Sequence, residues 1–429
     1  MNSMKTETFI GKRIFGSGSI IALGKLIQLA VLLLAAKILG VSEFGAFALA
    51  LATAQICSLV FVLGGQQGLT KIVSRFRATK QQNDLIGIIL FSLSFYLVAI
   101  LFLWALFHVL GYTGMLFYGH SAASLSFLAA ITIWVVLREG ISRGFSLIAI
   151  SQLPHEVIAP LIILTTIIFD ESLISSSEGF ILLWCSYYTA VEVLLLAFVF
   201  FNYGRGLRWD NIALKPYEWS KELLAIQGAS VSKASILRTD VLITGTFIGV
   251  YEAGLYSIAQ RLAQPVTLLA RTIFAATGSL LTEYHVQERY GELKKMLKVT
   301  AFFGVIGSIL YFLAVLVLGE KILTMIDPGY LAALPILLIL SLAQGVDSSV
   351  SPSGQFLVMC GYERELIKYN LLGFLVYLAT LFGPNEILSG YHVAVSLLFA
   401  LVCLNGLAAI KTVKALNWVS LKGPAEPKS

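Results

Sequence analysis

Twelve apolar stretches set the terms on which this chain can fold: 14–38, 44–64, 85–109, 121–141, 153–169, 179–202, 223–248, 254–281, 297–318, 331–359, 364–383 and 387–412. A helix needs about 20 such residues to cross the hydrocarbon core of a bilayer. Only 13% of the residues are charged, where a soluble domain carries roughly 25%. A core cannot hide that deficit, because even a large soluble fold must present a wetted surface. The chain therefore reads as an all-α polytopic membrane protein of about twelve transmembrane helices. Pro154 and Pro160 in the fifth stretch, and Pro335 and Pro352 in the tenth, are expected to kink or end helices. The first stretch is too long for a cleaved leader and lacks a small-residue cleavage site after it, so it reads as a retained span.

Loop charge gives the orientation. With the N-terminus in the cytoplasm, alternate loops collect most of the 30 basic residues, among them Lys71, Arg75, Arg77, Lys80, Arg138, Arg143, Arg205 and Arg208. The opposite loops hold Lys321, and Asp170, Glu171 and Glu178 make one of them acidic. That bias places both termini in the cytoplasm. It also accounts for the net charge of +6 without nucleic acid as a partner.

The chain repeats itself. Ile38-Leu39-Gly40-Val41-Ser42-Glu43-Phe44-Gly45 returns 209 positions on as Phe247-Ile248-Gly249-Val250-Tyr251-Glu252-Ala253-Gly254, and Ala50 returns as Ala259. At the same shift the segment from Ser142 to Glu156 falls on the segment from Ser351 to Glu365, and Asn83-Asp84-Leu85 lies 208 before Gly291-Glu292-Leu293. Such an echo marks one unit built twice. Six spans per copy is an even number, so the copies enter the membrane in the same sense, with a binding site expected between them. The expected layout is an N-terminal six-helix lobe at 1–204, a cytoplasmic linker at 205–222, a C-terminal six-helix lobe at 223–414 and a polar tail at 415–429.

Charges inside spans cost a few kcal/mol each at mid-depth, which makes Lys25, Lys37, Glu192, Lys233, Arg238, Asp240, Arg261, Arg271 and Asp347 the functional suspects. Lys25 and Gln28 share a helix face, as do Arg261 and Gln264, and Pro265 is placed to bend the eighth span beside them. Snorkelling to headgroups would also explain Lys25, Lys233 and Lys37, and Arg238 could simply pair with Asp240. The five histidines, His108, His120, His155, His285 and His392, fall near span ends, where interfacial residence explains them. Cys57, Cys185, Cys360 and Cys403 read as packing residues without metal spacing. No phosphate loop, nucleophile elbow or metal cluster is present, so neither an enzyme nor a metal or organic cofactor is expected.

The stretches AAKILGVSEFGAFALALA, LRTDVLITGTFIGVYEAGLYSIAQRLA and ERYGELKKMLK resemble the polysaccharide (O-antigen) flippase family of the multidrug/oligosaccharidyl-lipid/polysaccharide exporter superfamily. The resemblance runs through nearly the whole chain. It implies two six-helix lobes around a cavity, turning over a polyprenyl-pyrophosphate-linked oligosaccharide from the cytoplasmic to the outer leaflet. ILRTD supplies the family's basic residue and Asp as Arg238 and Asp240, and Arg261 matches an Arg early in the following helix.

On this reading Lys25, Lys233, Arg238, Arg261 and Arg271 bind the pyrophosphate, since cations in a low-dielectric cleft hold phosphate oxygens well. Glu192, Asp240 and Asp347 are then either counter-ions or the site of a coupling ion, H+ or Na+. Membrane lipids, a polysaccharide polymerase and chain-length proteins are the expected partners. Rival readings are a drug or cation antiporter of the same superfamily, a membrane glycosyltransferase or O-antigen polymerase, and a peptidoglycan-precursor flippase. The second would be expected to carry an acidic catalytic motif or a large outer loop, and the third to have more than twelve spans.

Overall fold

The computed structural model describes residues 2–112, 119–203, 213–236, 238–267, 284, 287–359, 362–383 and 389–421. Every regular element among them is a helix, and each of the twelve apolar stretches carries one. Eight helices among the described residues are long and apolar enough to cross a membrane, the first of them bent into two arms. The chain is a multi-pass membrane protein of twelve-helix layout.

By packing, the chain divides into two compact units, one of Ser19–Gly254 and the other of Met1–Gly18 with Leu255–Ser429. In the first unit, α1 (Asn2–Phe61) bends at Gly40, whose φ of 72° lies in the left-handed region. Only glycine takes that conformation without strain. Its repeat partner Gly249 has φ 142° and separates α9 (Thr239–Phe247) from α10 (Val250–Ala263). The two copies of the motif also touch each other. A Cβ on Gly45 would lie 2.1 Å from the Val250 carbonyl oxygen, and a Cβ on Gly254 would lie 2.2 Å from that of Val41. Gly45 and Gly254 are one repeat pair and Val41 and Val250 another, so the contact is reciprocal, as a local two-fold requires.

Past Phe61 the second arm breaks at Gly64 and Gly65, both at positive φ. The break turns the chain into α2 (Gly65–Ala78), in a stretch that loop charge had assigned to a cytoplasmic connection. α2 is amphipathic. Leu69, Ile72, Val73 and Phe76 are buried, and Leu69 and Val73 seat against Gly140 and Gly144 of α4 (Ala122–Gly144). Helix ends leave orphan backbone groups, and one side chain from α8 (Pro216–Ile236) meets them here. The Gln227 amide donates to the carbonyls of Leu59 (2.7 Å) and Val60 (3.0 Å) and accepts from the Gly64 N–H (3.3 Å). On the outer face of α2, Arg75 forms a two-pronged pair with Glu222 at 3.0 and 2.9 Å, joined by Lys71 at 3.5 Å.

The approach to α8 is anchored on α3 (Gln82–Tyr112). Trp219 packs against Phe76 and Phe91, and Lys215 lies 2.9 Å from Asp84. That hydrogen bond and charge hold the exposed ammonium above its ordinary lysine pKa. Asp84 stands in the first turn of its helix, where a carboxylate is favoured, and Glu292, in the segment that echoes it, does the same in the second unit.

The proline expectation holds for the fifth stretch, with a detail the sequence did not carry; in the tenth, Pro335 opens a helix, Leu334–Met359, that runs on through Pro352. The fifth span is not one α-helix: α5 (Ile148–Leu153) and α6 (Ala159–Phe169) are joined by a π-turn at Pro154–Ile158. α7 (Ser177–Tyr203) packs beside it and buries Phe180 and Trp184 against Phe47.

In the second unit α11 (Tyr290–Ile326), α12 (Leu334–Met359), α13 (Glu363–Leu381) and α14 (Gly390–Leu421) pack on one another. α11 and α12 cross at small residues: the Ser308 hydroxyl donates to the Gly304 and Gly345 carbonyls. The helix before Pro265 ends at Ala263. On either side of that end, Tyr311 donates to the Leu262 carbonyl and Ser348 to that of Val266 at 3.2 Å. Neighbouring helices thus satisfy carbonyls around a proline break, as membrane burial demands.

Candidate intramembrane charge network

The densest charge in the described residues lies inside the first unit, and most of it differs from the set the sequence singled out. α4 starts cleanly, with the Ser121 hydroxyl accepting from the Ser124 N–H at 3.2 Å, and runs past its apolar stretch to Gly144. Its last turns therefore carry Arg138, Glu139 and Arg143 into protein rather than into a loop. Arg138 is only 6% exposed and lies 2.6 Å from Glu192 of α7. Its guanidinium also donates to the carbonyls of Ile150 (2.9 Å) and Ser151 (3.1 Å). The assignment of Arg138 to a solvated cytoplasmic connection is thereby corrected: a buried cation is tolerable when a carboxylate and carbonyls surround it. Trp134, one turn earlier, donates its indole N–H to the same Glu192 oxygen at 3.1 Å.

The π-turn supplies the other half. Its wider ring accommodates the missing N–H of Pro154 and turns His155 and Glu156 towards α4 and α1. Such turns recur at functional sites. His155 Nε2 sits 2.8 Å from Glu139 Oε1 and 3.4 Å from Glu156 Oε1. Glu156 in turn holds Lys25 of α1 at 2.9 Å, and Lys25 also donates to Gln28 at 3.0 Å, so the shared face read from the sequence is present. Gly24 allows the approach: a Cβ there would lie 2.6 Å from the Glu156 carbonyl oxygen. Gln66 of α2 donates to Glu139, and Arg143 lies 4.0 Å from Glu139 and donates to Ser151 at 3.3 Å. His155, expected at an interface, has a side chain only 15% exposed and joins carboxylates from two elements.

Among the nine residues singled out by sequence, the structure brings Lys25 and Glu192 into this one network, and leaves Lys37 exposed on α1. Arg238 is half-buried in the turn between α8 and α9. Asp240 is fully buried at the start of α9, its carboxylate accepting from the Val241 N–H at 2.8 Å. In the second unit Arg261 is half-buried on α10, and Asp347 accepts from the Asn405 amide at 3.1 Å. The backbone of Lys233 lies in α8, but its side chain is outside the described residues, as is all of Arg271. Sequence reasoning missed Arg138, Glu139, His155 and Glu156. The signal was there in the alternation of acid and base within a few residues on either side of one turn.

No family model matches the chain, and no curated protein matches it. Solved structures do. An inward-facing multidrug resistance MATE family transporter of the MOP superfamily superposes with TM-score 0.73 over 95% of this chain and 96% of its own, at 12% identity. An outward-facing structure of a transporter of the same description gives 0.62 over 95% and 97%, at 13% identity. A mutant of a Vibrio cholerae MATE transporter gives 0.60 over 96% and 98%, at 14% identity. At these identities the likeness is one of fold, and it extends from end to end: the chain has the fold of MATE transporters of the MOP superfamily.

Proposed function

We propose that the chain is a membrane transporter, and that its cargo is a polyprenyl-pyrophosphate-linked oligosaccharide moved from the inner to the outer leaflet by alternating access. The observation that carries the transporter reading is the end-to-end likeness to MATE transporters. The choice of cargo draws on the sequence resemblance and on the sign of the charges placed within spans. Lys25, Lys233, Arg238, Arg261 and Arg271 are five cations on the first, seventh and eighth spans, suited to a phosphorylated headgroup. Two six-helix lobes, 1–204 and 223–414, with cytoplasmic termini and a cleft between them, belong to this proposal, as does an H+ or Na+ coupling ion.

A drug or cation antiporter is the second reading. The solved structures with this fold include multidrug resistance transporters, and the buried carboxylates Glu139, Glu192 and Asp240 would suit a cationic cargo. Deleting the gene and assaying lipid-linked sugar intermediates in the inner leaflet separates the two. Accumulation supports the flippase, whereas unchanged intermediates with raised sensitivity to cationic drugs support the antiporter. Substituting Arg238 or Arg261 with Gln should abolish glycan export with expression retained, and full export by the double variant would remove both residues from the cargo site.

A further inference from the structure

His155 is the odd member of an otherwise balanced set. Glu139 of α4 and Glu156 beside it face the ring, and among the described residues the network around them adds Lys25 of α1 on Glu156, Arg143 of α4 by Glu139, and Arg138 of α4 with Glu192 of α7. The Tyr188 hydroxyl, also on α7, donates to its backbone carbonyl at 3.2 Å. Three fixed cations meet three carboxylates, so the network is neutral with a neutral ring and gains one charge when the ring is protonated.

The hydrogen bonds place a proton on Nε2, which faces both carboxylates, and leave the Nδ1 lone pair for the incoming one. Nδ1 is buried and, among the described residues, finds no hydrogen-bond partner on the protein, and neither do Gln152 Oε1, Thr189 Oγ1 and Glu192 Oε1. Buried polar atoms are seldom left so, and this many in one bundle marks a place whose bonding is not saturated in one protonation state.

We propose that His155, with Glu139 and Glu156, is a proton-binding site within the membrane-spanning part of the first unit, and that its occupancy governs the hold of Glu156 on Lys25. The imidazolium competes with the Lys25 ammonium for one carboxylate and repels it across a low dielectric. A proton arriving on Nδ1 therefore loosens α1 from the π-turn, and its departure restores the clasp. No covalent bond to carbon changes; one proton passes between water and the ring. That this exchange drives transport rests on the transporter reading above, while the binding itself does not.

The test uses the full-length protein in lipid nanodiscs, with histidines labelled with 15N. The chain has five histidines, so the His155 signal is assigned by its loss in H155Q. If that variant does not fold, H108Q, H120Q, H285Q and H392Q assign it by elimination. The expected result is passage of this one signal from neutral to doubly protonated between about pH 5 and 8. E139Q and E156Q should each displace the midpoint by about one pH unit. A ring that keeps one protonation state throughout, or titrates in both Gln variants at the wild-type midpoint, overturns the proposal. Titration of His155 in a protein whose deletion leaves lipid-linked intermediates unchanged keeps the proton site and removes the flippase reading. A silent His155 with accumulating intermediates does the reverse.

Discussion

Arg138 and Glu192 illustrate what a single buried charge demands of its neighbours. Removing one partner of such a pair leaves the other uncompensated, at a cost of about 3–5 kcal/mol. R138M should therefore lower the midpoint of unfolding in detergent sharply, while the double variant R138M/E192L should recover most of the loss. Wild-type stability in R138M would mean that the pair holds nothing. Glu192 stood out in the sequence because it interrupts an apolar run. Arg138 did not, because it lies near the end of one, where a helix that continues into protein and a helix that stops at headgroups have the same composition. The apolar run reports what touches lipid, and the last turns of α4 touch Glu192 and the Ile150 and Ser151 carbonyls. His155 went unread for a related reason: its neighbours are set by a π-turn, and two prolines announce a break without giving its geometry.

Helix junctions carry the predictions at the next scale. Gly40 and Gly45 are five residues apart and should fail differently when changed to Ala. At Gly40 a Cβ meets nothing within 4 Å, so only the positive φ is strained, costing about 1–2 kcal/mol. At Gly45 the Cβ would enter the van der Waals shell of the Val250 oxygen, and the helices must separate, costing at least the 1–3 kcal/mol typical of overpacking, to order of magnitude. Thermal unfolding should rank G45A below G40A, and the reverse order would show the crossing to be loose. Q227A should cost about 1–3 kcal/mol by leaving three backbone groups near Gly64 without a partner. Its signature is faster proteolysis between Phe61 and Gly65 rather than general unfolding. The helices themselves were legible from apolar length and proline. α2 was not, because four basic side chains between Lys71 and Lys80 mask an apolar stripe that faces Gly140 and Gly144.

For the molecule as a whole, the span count could be read before any coordinates, since a bilayer leaves a chain of this composition one kind of secondary structure. The doubling was legible too, and both glycines at its head adopt positive φ. The charge network was not, for it depends on which faces of α1, α4, α7 and the π-turn meet, and apolar periodicity is weak where every face is apolar. The meeting of Gly45 with Val250 and of Gly254 with Val41 has a bearing on the history of the gene. After duplication, each copy became the other's mould at this spot. A bulkier side chain in either copy would need a retreat of backbone in its twin, and no single base change supplies that. Elsewhere the halves were at liberty to drift apart until little likeness was left; here neither could move alone.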